Sequence, residues 1–294
     1  MSPRLSIGMP VYNGAPFLAE TLDSWLAQDM GDFELIVSDN ASTDDTPRIL
    51  EEYSRRDERL RIQRRSENVL AWENFNGLVQ HASAPLFAWA ACDDLRHPSY
   101  LSRLSEALDG DPDAVLAYAH TVVFGDPNRE RRRAKRAATP GLEDRKIDRL
   151  ISLLRTKEWY LIYGLIRAEV LRRTRLFVWP MGFNADVGLC LELASLGRFV
   201  HVAEDLVSFR LHPKAMSIDP DEPTRTHPGR RLDEAALEFA AGLDLDPRER
   251  KLFMRQLRVW CRKAQKPRRS HWKSAGFRSV YVKTSQAFID LLRP

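Results

Sequence analysis

Cysteine is scarce in this chain: three thiols, Cys92, Cys190 and Cys261, are spread over 294 residues. Such wide spacing builds neither a disulfide framework nor a zinc cluster, and a reducing cytoplasm is the expected setting. Long apolar runs are also missing. None reaches the roughly 18–20 residues that a membrane-spanning helix needs. The opening MSPRLSIGMPVY lacks the charged region, apolar stretch and cleavage site of a signal peptide. Zinc-finger, RNP and helix-turn-helix patterns do not occur, so nucleic acid is not an expected partner.

What is present is a globular balance, 44% hydrophobic and 29% charged. The length suits one large α/β domain, with or without a smaller appendage. Net charge is +4, and much of the excess lies in RERRRAKR (129–136) and KPRRSHWK (266–273). Runs of this kind are usually solvated surface, though they also suit phosphorylated substrates or anionic lipid headgroups.

Strand-like and helix-like segments alternate from the start. LSIGMPVY is a short apolar run, and PFLAETLDSWLAQ repeats apolar residues at helical spacing. FELIVSDN predicts a second strand. Ser42 or Thr43 is then expected to cap a helix through TPRILEEYSRR, with Asp44 and Asp45 in its first turn. A strand near Leu60–Gln63, a helix around Trp72–His81, the strand PLFAWAAC, a helix from Pro98 to Leu108 and the strand AVLAYAHTVVF follow. This alternation predicts a mostly parallel sheet with helices on both faces. Residues 125–145 turn polar and basic and read as a long loop. A helix near Leu150–Lys157, the segment YGLIRAEVL, a helix over Asp186–Leu196 and the strand RFVHVAEDLVSFRLH come next. A Pro- and Asp-rich stretch, Asp219–Pro228, precedes a purely helical tail.

Ligands of parallel α/β sheets bind at the carboxyl ends of the strands. The first predicted strand ends in Pro10-Val11-Tyr12-Asn13 and the second in Ser38-Asp39-Asn40. Asn68 lies in the loop after the third, and Cys92-Asp93-Asp94 close the fourth. Four polar strand ends in succession suggest a polar ligand lying across the sheet edge. Adjacent carboxylates such as Asp93 and Asp94 call for neutralisation, which Mg²⁺ or Mn²⁺ supplies while also bridging phosphate oxygens. On local pattern alone, a turn that leads into the next helix explains them equally well.

PVYNGAPFLAETLDSWLAQ, FELIVSDNASTDDT and the Asp-Asp pair together resemble glycosyltransferase family 2, over roughly residues 4–215. YGLIRAEVL, NADVGLCLELASLGRF and SFRLHPKAMS occupy the places of that family's acceptor-side motifs. The resemblance implies a GT-A fold in which residues 1–218 form the transferase domain, with a donor half over about 1–125 and an acceptor half over about 145–218. Residues 219–294 would be a helical extension.

The resemblance also implies inverting transfer from a UDP- or dTDP-sugar to an acceptor hydroxyl on a sugar, a lipid-linked sugar or a small molecule. Pro10, Tyr12, Asn13, Asn68 and Asp93 would line the donor nucleotide, and Asp39 would accept the imide N–H of the base. Asp94, with Asp93 and His212, would hold Mg²⁺ or Mn²⁺, and Asp186 would be the general base. Two positions depart from the family pattern: Ala91 stands where a further acid is common, and Ala185 stands where the base is preceded by Glu.

Asp186 also reads as helix N-capping chemistry. Cys92 reads as a small buried residue rather than a nucleophile. Trp159 and Trp179 flank the acceptor-side segments, where one of them could stack on a sugar ring. Two other functions stay open. One is a sugar nucleotidyltransferase, against which PVYNGAPF offers no Gly-rich phosphate loop. The other is a catalytically impaired nucleotide-sugar-binding protein, prompted by Ala91 and Ala185. The basic, aromatic tail leaves open a cover over the acceptor site, a homodimer contact or a peripheral contact with the inner membrane face.

Overall fold

The computed structural model describes residues 2–124, 132–133, 139–156, 160–177, 185–212 and 238–264. The first part alternates strictly: β1 (Leu5–Val11), α1 (Ala15–Leu26), β2 (Phe33–Asp39), α2 (Thr46–Arg56), β3 (Leu60–Arg64), α3 (Ala71–His81) and β4 (Leu86–Trp89). All of β1 and β2 is buried, as befits central parallel strands covered on both faces. In α1, Leu18, Leu22 and Trp25 fall on one stripe and are fully buried.

Then come β5 (Leu95–Arg96), α4 (Tyr100–Asp109), β6 (Ala114–Phe124), β7 (Arg132–Arg133) and α5 (Lys146–Thr156). A 3-10 helix (Tyr160–Tyr163) leads into β8 (Leu165–Arg167), α6 (Ala168–Leu171), α7 (Ala185–Leu196), β9 (Arg198–Arg210) and α8 (Pro247–Ala264). One sheet runs β3-β2-β1-β4-β8-β6-β9-β5, with β7 on β6. β3, β2, β1 and β4 pair in parallel, as do β6 and β9. The sheet is thus mixed rather than uniformly parallel, because β8, β5 and β7 run against their neighbours.

β8 reverses direction between β4 and β6. Leu86 lies opposite Arg167, and Phe87 opposite Ile166. The residues that precede β8 therefore flank the carboxyl end of β4.

Two hydrophobic clusters sandwich the sheet. One gathers Leu18, Leu22 and Trp25 of α1 with Leu101, Leu104 and Leu108 of α4. The other joins α3, α5 and α7 to the C-terminal helix, through Phe253, Leu257 and Trp260. α7 is apolar on every side, and Val187, Leu189, Cys190, Leu191 and Leu193 are all buried, which makes it a central helix of this layer. The described part of the helical tail thus shares a core with α5, and Lys146 Nζ donates to the Asp244 carbonyl at 2.9 Å.

Several details differ from the expectations. Neither Ser42 nor Thr43 caps α2, which begins at Thr46 after Asp45. The Ser42 hydroxyl instead accepts the Asn13 N–H at 2.9 Å, and Asp44 Oδ1 accepts the Thr46 N–H at 2.9 Å. β4 closes at Trp89, so Asp93 and Asp94 stand in the turn between β4 and β5 rather than on a strand end. Within the basic run, Arg132–Arg133 form β7; the rest of it, Trp159, Trp179 and 266–273 lie outside the described residues. No helix among the described residues is long and apolar enough to cross a membrane.

Candidate active site

The loops after β1 and β2 are stapled together. Asn13 has φ 51°, a left-handed conformation that asparagine tolerates. Its Oδ1 accepts the Thr43 N–H at 2.9 Å. Gly14 N–H donates to Thr46 Oγ1 at 2.9 Å, and Ala15 N–H to Asp44 Oδ2 at 3.1 Å. A Cβ on Gly14 would come within 2.6 Å of Val11 Cγ2, so this close passage requires glycine. The staple leaves Tyr12 projecting, 51% exposed. Pro10 lies inside β1, buried, in register with Ser38.

Asp39 ends β2 fully buried. Its Oδ1 accepts the Ser42 N–H at 3.0 Å, while Oδ2 has no hydrogen-bond partner and Arg64 Nε stands 3.5 Å away. An inward-held acceptor without a donor is the chemistry an imide N–H satisfies. Asn40 fixes the next wall: its carboxamide donates to the Val69 carbonyl at 2.8 Å and accepts the Val69 N–H at 2.9 Å. Asn68 is exposed and donates to the Asn40 carbonyl at 2.9 Å.

The two adjacent aspartates face different surroundings. Asp93 Oδ2 and His212 Nε2 lie 2.9 Å apart, and the His212 ring packs on Phe17 with centroids 4.5 Å apart. Asp94 is buried: Oδ1 accepts the Arg210 N–H at 2.9 Å, and Oδ2 has neither solvent nor a partner. Burial raises the Asp94 carboxyl above its ordinary range, opposed by the positive charge of Arg96 and reinforced by Asp93. Arg96, itself buried, lies over the rings of Trp25 and Tyr100.

Arg210 is the organiser that sequence reasoning missed. Its Nε donates to the Asp93 carbonyl at 2.9 Å and its guanidinium pairs with Glu20 at 2.5 Å. The same group lies 4.8 Å from the centre of the Phe17 ring and 4.6 Å from that of Phe124. Its place two residues before His212 was the available signal.

As arranged, the accessible ligand atoms are those of Asp93 and His212, with Asp94 turned inward. Among the described residues no group of three or more His, Cys, Asp or Glu converges as metal ligands. A carboxylate and an imidazole nevertheless fit a divalent ion that takes its other ligands from phosphate oxygens and water. Cys92, partly buried beside Gly14, has its thiol pushed up by burial and by the charges of Asp93 and Asp94. It is therefore a protonated packing residue, not a nucleophile.

Asp186 lies in the first turn of α7, between buried Ala185 and Val187. Burial pushes its carboxyl up to about 7, although Oδ1 accepts the Val187 N–H at 2.8 Å. Tyr163 precedes β8 and so flanks the carboxyl end of β4. Burial raises its hydroxyl, and Asp94, Asp93 and Asp186 all add to that rise. The β4–β5 turn and the segment after β9 thus bring Asp93 and His212 together, and Asp186 stands apart from them in the chain on the first turn of α7.

The crystal structure of S. aureus TarS 1–349 in complex with UDP-GlcNAc superposes with a TM-score of 0.67 at 16% identity, covering 87% of this chain and 72% of that one. The mannosyltransferase PcManGT from Pyrobaculum calidifontis, in complex with GDP-Man and Mn²⁺, gives 0.54 at 17% identity, covering 90% and 75%. At such identities the likeness is one of fold, and the class it defines is the GT-A type, a curled α/β sheet flanked by helices. In sequence, the uncharacterized glycosyltransferase EpsJ of Bacillus subtilis (strain 168) is 25% identical over 249 residues, 81% of this chain and 70% of EpsJ. Another curated relative is much longer, and the match spans 13% of it. The profile of Glycosyl transferase family 2 matches residues 6–176, and the chain belongs to that family.

Proposed function

We infer that the protein is an inverting glycosyltransferase that moves a sugar from a UDP- or dTDP-sugar to an acceptor hydroxyl. The observation that carries this reading is the Asp93–His212 pair, 2.9 Å apart after β4, together with the buried Asp39 whose Oδ2 has no hydrogen-bond partner at the end of β2. A diphosphate site of this kind and a separate carboxylate base, Asp186, suit a single displacement with inversion.

In this reading Asp39 Oδ2 accepts the imide N–H of uracil or thymine, and Tyr12 and Asn13 border the nucleoside. Pro10 contributes through the backbone course of β1, and Asn68 through its hold on Asn40. Asp93 and His212 would hold Mg²⁺ or Mn²⁺. Bound there, such an ion would supply charge neutralisation for the departing diphosphate. In this reading the outward Asp93 carries most of the ligand role, and Asp94, which accepts the Arg210 N–H, sets the turn beside it. Asp186, with its carboxyl near 7, takes the proton of the acceptor hydroxyl as the C–O bond forms. Support for a nucleotide-sugar donor comes from the UDP-GlcNAc and GDP-Man complexes of proteins sharing the fold.

The test is incubation with Mn²⁺ and a panel of UDP- and dTDP-sugars, reading release of the nucleoside diphosphate. Release that is lost in Asp93→Asn and His212→Ala supports the reading. Tight nucleotide binding without turnover, unchanged by Asp186→Asn, points instead to a binding protein on the same fold. Release of pyrophosphate from a nucleoside triphosphate and a sugar phosphate identifies a nucleotidyltransferase.

A further inference from the structure

The 3-10 helix Tyr160–Tyr163 bears on the acceptor. Because β8 runs antiparallel to β4, Tyr163 flanks the carboxyl end of β4, the strand that leads to Asp93 and Asp94. The same helix packs against α7, whose first turn carries Asp186. In 3-10 geometry residues three apart eclipse one another, which brings Tyr160 to the side of Tyr163. Tyr160 is 39% exposed, and its ring meets that of Phe209 with centroids 5.0 Å apart at 60°. Phe209 immediately precedes Arg210, whose N–H holds Asp94. Among the described residues four large apolar or aromatic side chains are exposed, and Tyr160 is one of them.

We propose that Tyr160 and Phe209 form the platform of an acceptor subsite for a pyranose ring, with the Tyr163 hydroxyl as its polar contact at the Asp186 end. The proposal rests on the transfer reaction inferred above, with Asp186 as base. A pyranose presents a C–H face and a rim of hydroxyls. This wall has the matching alternation: the faces of Tyr160 and Phe209, then the phenol of Tyr163 and the carboxylate of Asp186. An alkyl chain in the same place would leave the phenol and the carboxylate against hydrocarbon without partners. The acceptor is accordingly a saccharide or the sugar part of a glycoconjugate.

Saturation-transfer NMR on the full chain, with and without UDP and Mn²⁺, tests this directly. The probes are the methyl glycosides of glucose, galactose, mannose and N-acetylglucosamine, with n-butanol as the non-sugar control. At least one pyranoside should receive transfer to its ring protons, and n-butanol should not. Tyr160→Ala should weaken that pyranoside about three- to tenfold, with Tyr160→Phe close to the wild type and UDP affinity unchanged. Tyr163→Phe should weaken it by a similar factor, and Phe209→Leu serves if the alanine variant does not fold. Equal pyranoside affinity in the wild type and Tyr160→Ala overturns the proposal, as does binding of n-butanol as strong as any pyranoside. Absence of UDP binding would count against the donor reading, while the pyranoside titration without nucleotide still decides this one.

Discussion

Replacing Asp186 with asparagine should remove turnover and strengthen the fold at the same time. Burial pushes this carboxyl from its ordinary 3.8 up to about 7. A rise of that size corresponds to up to about 4 kcal/mol of lost stability once the group is ionised. Between those two values the folded protein keeps a proton that the unfolded chain has released. Stability therefore falls as pH rises through the window, with no penalty below 3.8 and the full penalty above about 7. Asparagine removes the charge and with it this dependence. The advantage of Asp186→Asn over the wild type, measured by urea unfolding, should grow by about 2–3 kcal/mol between pH 5 and pH 8. In the proposed reaction catalysis runs the other way, because the ionised carboxylate would be the base. In the wild type kcat/KM should rise about tenfold per pH unit and level off near 7. The variant should lose about 10²–10⁴ in turnover with donor affinity kept. Retained turnover, or a stability difference that is the same at both pH values, refutes the reasoning.

Three other outcomes are expected. Asp39→Ala should weaken UDP and erase at least a tenfold share of its preference over CDP, since cytosine has no imide N–H to donate; calorimetry with both nucleotides checks this. Arg210→Met breaks the bond to the Asp93 carbonyl and both ring contacts. It should cost about 1–3 kcal/mol in urea unfolding and weaken Mn²⁺-dependent UDP binding, and unchanged binding would speak against Arg210 as organiser. Gly141→Ala should destabilise by at least about 2 kcal/mol, because φ is +87° and a Cβ would lie 2.3 Å from Phe199; a denaturation midpoint equal to the wild type would contradict it.

The parallel run of β1 to β4 was legible because its signals are local. Apolar periodicity marks those strands and α1 to α4, and the family motifs single out Asp39, Asp93, Asp94 and Asp186 as candidates. What escaped depends on partners far along the chain. Ser42 looks like a helix cap until Asn13 claims its hydroxyl. β5 and β8 span two and three residues, too short for a period to register. The different fates of Asp93 and Asp94 depend on Arg210 and His212, more than 110 residues downstream. Chain pattern alone could not say which of the two faces outward. Tyr160 and Tyr163 belong to a 3-10 turn whose sequence, YLIY, reads as ordinary core.

The clasp made by Arg210 and His212 also orders events during synthesis. β1 to β4 come from neighbouring stretches of chain and can pair early, with modest loop-closure cost. Asp93 and Asp94 meet their partners only across 116 to 119 residues, and Glu20 meets Arg210 across 190. Those contacts wait until β9 has settled between β6 and β5. A growing chain therefore completes β1 to β4 well before Arg210 and His212 close on the β4–β5 turn. Under the proposed function, an unfinished polypeptide would bind nucleotide at most, and donor cleavage would wait until the far end of the sheet has closed.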